Sequence, residues 1–206
     1  MEGRHAMGRR NDHTREELKE LILKTSWNIV GKYGFEGLTA RHVAKEIGYA
    51  AGTIYNIFES MDVLCLLINA RTLDILHQAI AGPECNDPEK SPAENMVALA
   101  MQYMDFVHQY RPYWLMLFNP VFEDSSQVKS WYQKKMDELL VPLERLLDPL
   151  FGPGEAGKRQ MAAGILWSSV HGFCLLHETG KIPLKSVPGE TLAHMIETYI
   201  RGIEKS

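Results

Sequence analysis

The run Gly34-Phe35-Glu36-Gly37-Leu38-Thr39-Ala40-Arg41-His42-Val43-Ala44-Lys45-Glu46-Ile47-Gly48-Tyr49-Ala50-Ala51-Gly52-Thr53-Ile54-Tyr55-Asn56-Ile57-Phe58 reads as two short helices hinged at a glycine. The Thr39 hydroxyl is placed to cap the first of them. Ala44 is small where the two helices would cross, Gly48 follows where a tight turn needs positive φ, and Ile54 comes six residues on, facing inward. Leu38, Val43, Ala44, Ile47, Ile54, Ile57 and Phe58 then form a shared apolar set. A plain helical hairpin needs that set but not the small residue and the glycine at these offsets. The layout is that of a helix-turn-helix, whose second helix is free to enter a DNA major groove.

Upstream, Thr14-Arg15-Glu16-Glu17 is a capping box, and Leu18, Leu21, Ile22, Thr25, Ile29 and Val30 recur at helical spacing to a stop at Gly34. Downstream, Ser60 opens a helix from about Met61 to Ile80 that ends near Gly82-Pro83, long enough to serve as a connector. The stretch Gly82 to Pro92, rich in Pro, Asp, Glu and Asn, reads as a linker or loop. Ser91-Pro92-Ala93-Glu94 combines a second capping box with a proline at the first helical position and opens a helix to about Tyr110. A short aromatic helix is expected at Tyr113 to Asn119, and one from Asp124 to Leu147 kinked at Pro142. Two more are expected at Ala156 to Glu178 and Pro188 to Lys205. With no strand pattern and no internal repeat, the expected fold is all-α with about nine helices. Residues 1–60 would form a three-helix head, and residues 61–206 the connector and a helical-bundle body.

The bulk properties narrow the possibilities further. A chain of 206 residues, 45% of them hydrophobic, can bury a sizeable core. Its longest mostly apolar run, Gly164 to Leu176, is too short to span a bilayer and is interrupted by His171, and the amino terminus shows no apolar signal region. A cytoplasmic protein with no membrane partner is expected. Cys65, Cys85 and Cys174, odd in number and far apart, read as free thiols in a reducing compartment. Residues 1–58 hold nine Lys and Arg against seven Asp and Glu, whereas the remainder is net acidic. The asymmetry has the sign of a DNA-binding head on an acidic body, and its small size points to a few placed contacts rather than a broad basic field.

The string Leu38-Thr39-Ala40-Arg41-x-Val43-Ala44-x-x-Ile47-Gly48, followed by Gly52-Thr53-Ile54-Tyr55-x-x-Phe58-x-Ser60, resembles the signature of the tetracycline-repressor-like transcriptional regulators, over roughly residues 14–68. Later, Trp167-x-x-x-His171-Gly172 resembles a Trp-His-Gly element found in one subgroup of that family's C-terminal ligand-binding domains. The resemblance implies a homodimeric, ligand-responsive regulator. Most simply this is a repressor that leaves a palindromic, double-stranded operator when a small, mainly apolar effector binds the C-terminal domain. It places DNA contacts at Thr39, Arg41, Ala50, Ala51, Thr53, Tyr55 and Asn56. Of these, the Thr39, Thr53 and Tyr55 hydroxyls suit phosphate oxygens, and Arg41 and Asn56 can reach base edges. Two positions where the family often carries lysine hold Ala51 and Met61 here. That shifts weight to the amino-terminal arm with Arg9 and Arg10, and to DNA shape.

In the body, Met101, Met104 and His108 share one helix face, and Trp167 and His171, four apart, share another. With Trp114, Phe118 and Trp131 they make a candidate effector pocket, adaptable methionines against flat aromatic walls. For dimerisation, Ala162, Ala163, Ser169 and Gly172 would let helices approach closely, and Leu166, Leu192, Met195, Ile196 and Tyr199 would supply apolar contact in a four-helix bundle. A metal-sensing regulator is the first alternative. His171 and His177 lie about 120° apart around a helix, however, so together with Cys174 they do not converge, and no metal or cofactor is expected. The second alternative is a small helical enzyme acting on an apolar substrate. The chain offers it no glycine-rich phosphate loop, nucleophile elbow or paired His-carboxylate motif.

Overall fold

The computed structural model describes residues 13–118, 130–181 and 187–205, and every regular element among them is helical. The chain divides into two compact units, residues 1–68 and residues 69–206.

In the first unit, α1 (Arg15–Tyr33) begins with a complete capping box. Glu17 N donates to Thr14 Oγ1 at 3.2 Å, and Thr14 N donates to Glu17 Oε2 at 2.8 Å. The helix stops at Gly34, which takes φ of 71°. Helix α2 (Ala40–Ile47) is capped by Thr39, whose Oγ1 accepts from His42 N at 3.1 Å. Gly48 then adopts φ of 77°, the left-handed conformation open to a residue without Cβ. Its N–H and that of Tyr49 turn back to the Lys45 and Ala44 carbonyls at 3.3 and 2.9 Å, closing α2 and directing the chain into α3 (Ala51–Ile57). Ala44 and Ile54 are both buried, as the crossing requires, and Ile22, Ile29, Val30, Leu38, Val43 and Phe58 complete the core. Ile47 and Ile57, expected in that core, are only half-buried. A head built on helices of eight and seven residues lacks the volume to enclose every apolar side chain they carry.

Helix α4 (Met61–Ile80) has residues 61–68 in the first unit and 69–80 in the second. By length and composition it could cross a bilayer. It is a core helix, with Leu64, Leu66, Ile68, Leu73, Leu76 and Ile80 buried. The second unit continues with α5 (Pro92–Gln109), α6 (Arg111–Met116), α7 (Ser130–Glu138), α8 (Val141–Leu147), α9 (Ala156–Glu178) and α10 (Pro188–Glu204). Ser91 and Glu94 form the second capping box at the start of α5. The segment after α4 is tied to α5 rather than loose, since Asp87 N donates to Asn95 Oδ1 at 2.9 Å and Asn95 Nδ2 donates to Asp87 O at 2.8 Å.

Two element boundaries differ from expectation because of prolines. The single kinked helix expected over 124–147 is, in its described part, the separate helices α7 and α8, with Pro142 in the first turn of α8. Lacking an N–H and clashing with the carbonyl four residues back, Pro142 starts a helix better than it bends one. Pro112 likewise sits inside the first turn of α6, so that helix begins at Arg111 and has ended by Leu117. Leu73, Leu76 and Ile80 of α4 pack with Leu99, Tyr103 and Phe106 of α5, Trp114 of α6, Leu143 and Leu147 of α8, Leu166 of α9, and Leu192 and Ile196 of α10 in one continuous core.

Candidate functional site

In the first unit the turn at Gly48 buries Ile54 and thereby fixes which face of α3 looks outward. Tyr55 is 51% exposed, Asn56 and Ala50 are exposed, and Thr53 and Ala51 are half-buried. Thr39 and Arg41 are also exposed, at the start of α2. The Thr39 oxygen accepts the capping bond, and its hydroxyl proton is left for an external acceptor. His42 is held between Gly37 O, 2.9 Å from its Nδ1, and Glu46, 3.8 Å from its Nε2. The His13 imidazole meets the Tyr49 hydroxyl at 2.8 Å, a link across 36 residues that ties the start of the described chain to the turn. Arg9 and Arg10, expected to form the DNA arm, lie outside the described residues.

The second unit brings four of the eight expected effector residues together. Trp167 and His171 of α9 stack with ring centres 6.0 Å apart, Trp114 of α6 lies 5.4 Å from the His171 ring, and the Phe118 ring lies 4.8 Å from it. The organising residue is one the sequence reading did not select. The fully buried Trp114 donates from Nε1 to the Tyr103 hydroxyl at 2.8 Å, and that hydroxyl meets His171 Nδ1 at 2.5 Å. The indole nitrogen can only donate, so the Tyr103 oxygen accepts from it and the phenol proton is left available to Nδ1. When the phenol donates this bond, Nδ1 accepts and the neutral imidazole carries its hydrogen on Nε2. Burial pushes the His171 pKa below its ordinary value, favouring that neutral form, and holds the Tyr103 phenol protonated.

The other expected effector residues sit apart from this cluster. His108 is exposed and pairs with Glu178 at 3.7 Å, beside the Arg111–Glu178 ion pair at 3.1 Å. Trp131 lies on α7 against Tyr132. Met101 packs near Gly189 at the start of α10, and Met104 is half-buried against the core. A separate pocket of 320 Å³ opens between the end of α4, the middle of α5, and α7 and α8.

The expected dimer residues divide by burial. Ala162, Ala163, Leu166, Leu192 and Ile196 are buried in the core of their own chain and have no surface to offer a partner, whereas Ser169, Gly172, Met195 and Tyr199 are half-buried. The outer face of α9 instead carries Met161, 66% exposed, with Ile165 and Leu176, interleaved with Gly157, Ser168 and Gly172. These six fall within an arc of roughly 100°. Because α9 is apolar nearly all round, spacing alone does not reveal which stripe turns inward. Among the described residues no group of three or more His, Cys, Asp or Glu is placed to hold a metal ion. The three cysteines are free and buried.

Residues 22–68 match the family model described as bacterial regulatory proteins, tetR family, and residues 96–199 match the tetracyclin repressor-like C-terminal domain. No curated protein sequence matches. The chain is similar to the structure of a protein of unknown function from Rhodococcus sp. RHA1, with a TM-score of 0.73 at 18% identity over 95% of this chain and 98% of that one. It is also similar to the TetR-family regulator PfmR from Thermus thermophilus, with a TM-score of 0.62 at 14% identity over 87% and 97%. A third likeness is to the multidrug binding protein EbrR in complex with imidazole, with a TM-score of 0.62 at 19% identity over 91% and 96%.

Proposed function

Given that this chain belongs to the tetR family of bacterial regulatory proteins, we propose that this ligand-responsive DNA-binding regulator acts in the cytoplasm as a repressor with no catalytic reaction of its own. A palindromic operator is read by two copies. The observation that carries the DNA side is the outward set Thr39, Arg41, Thr53, Tyr55 and Asn56, displayed by a turn that buries Ile54 behind it. Threonine and tyrosine hydroxyls position the head on phosphates, and Arg41 and Asn56 read base edges, with the Arg9 and Arg10 arm adding charge. Two half-sites about 34 to 36 Å apart, or a multiple of it, require two linked heads. The outer face of α9 supplies the link, with the half-buried α10 residues Met195 and Tyr199 beside it.

The effector lies against Phe118, Trp167 and His171 in the second unit, a mainly apolar molecule whose one polar group meets His171. Helix α4 carries the response, since its residues are shared between the two units. An effector that prefers a body with α4 displaced disfavours the head separation an operator selects, and a typical coupling of about 1 to 3 kcal/mol changes operator affinity roughly 5- to 150-fold.

Selection from randomised duplex DNA tests the reading and is expected to return a palindrome. Recovery of no shared sequence overturns it. Tyr55→Phe is then expected to weaken the selected duplex and unrelated DNA alike, by roughly three- to tenfold for one lost hydrogen bond. Trp167→Ala is expected to abolish the effector's influence while leaving effector-free DNA binding intact. A protein that melts early yet still responds removes the aromatic cluster from the effector site.

A further inference from the structure

The 320 Å³ pocket at the end of α4 is separate from the aromatic cluster, and its lining is sorted by chemistry. Ile80, Leu99, Val141, Pro142 and Leu146 provide an apolar floor drawn from three helices, and the buried Cys85 thiol, its pKa raised by desolvation, adds a neutral wall. The polar groups have unequal partners. Glu138 reaches the lining with its charge answered by Lys134 at 3.8 Å. Arg145, exposed on α8, has no carboxylate partner among the described residues, and His77 and Asn86 add hydrogen-bonding groups to the same lining. A guanidinium presents a fork of donors and no acceptor, and it matches a carboxylate in two parallel bonds. The volume falls at the small end of ordinary ligand sites.

We propose that this pocket is a second small-molecule site, independent of the effector site above, and that it takes an amphipathic carboxylate: an apolar tail on the floor and a headgroup on Arg145. The last turn of α4 supplies His77 and Ile80 to it, so an occupant braces that helix against α8 within the body.

Calorimetric titration of the full-length chain with octanoate, octanol and octylamine decides the matter. Octanoate is expected to bind at one per chain, with octanol and octylamine much weaker. Arg145→Gln, a change at an exposed position, is expected to weaken octanoate by roughly ten- to hundredfold, the span of a charge-assisted bond. Ala81→Trp, which plugs the lip from another exposed position, is expected to abolish binding, and Trp167→Ala to leave it unchanged. Octanoate failing to bind at millimolar concentration overturns the proposal. So does octanol or octylamine binding equally well, or binding that survives both pocket variants. Loss of octanoate binding in Trp167→Ala alone assigns the ligand to the aromatic cluster instead.

Discussion

Tyr103 shows what a single hydroxyl does in this protein. It is the sole described acceptor for a fully buried indole N–H and the hydrogen-bond partner of His171 Nδ1. Tyr103→Phe keeps the ring packing but strands Trp114 Nε1 in the core, at an expected cost of about 1 to 3 kcal/mol in thermal or denaturant unfolding. An unchanged melting temperature contradicts the relay. His171 adds a pH dependence whose sign follows from burial. Its folded-state pKa is depressed below the ordinary 6.5, so the stability it contributes is present above pH 6.5 and is lost as the pH falls through the lower folded-state value. Denaturant midpoints measured from pH 7 to pH 5 are expected to fall more steeply for the native chain than for His171→Gln, and parallel curves refute this. The sequence made Thr14, Thr39 and Ser91 legible as caps because each acts within three residues of itself. Tyr103 was not legible, because its partners stand 11 and 68 residues away and become neighbours only when α5, α6 and α9 pack.

Among the elements, the turn between α2 and α3 illustrates how a backbone conformation and a side-chain volume can be separated. A Cβ added at Gly48 meets nothing within 4 Å, yet φ of 77° strains any L-residue. Gly48→Ala is therefore expected to destabilise by about 1 to 2 kcal/mol through the backbone alone. Gly52, equally uncrowded but helical, provides the control, and Gly52→Ala is expected to stabilise by about 0.5 to 1 kcal/mol. Melting curves showing the same sign for both variants reject the conformational argument. Helix existence was readable wherever caps and spacing agreed, as in α1, α2 and α5. Orientation was readable only for helices with one apolar face. In α9 the inward Leu166 and the outward Ile165 are adjacent and chemically alike, so the sequence could not tell which of the two faces the chain's own core.

At the scale of the whole molecule, that pair becomes a diagnostic. Ile165→Glu places a charge on the outer face of α9 and is expected to leave a folded chain that sediments as a monomer and no longer holds a palindrome. Leu166→Glu buries the same charge in the chain's own core and is expected to prevent folding altogether. A folded Ile165→Glu dimer moves the interface elsewhere. The cysteines carry a further consequence for the molecule as a whole. Cys65 and Cys174 have thiol pKa values pushed up to about 12 by burial, and Cys85 is shifted in the same direction. A maleimide reacts with accessible thiolate, so the native chain is a dark background for site-directed labelling. One cysteine introduced at an exposed position outside the proposed DNA and pairing faces, such as Lys19 or Glu89, can carry a fluorophore or spin label without removal of the three native thiols, and distances between copies paired as proposed become measurable in the otherwise unaltered protein.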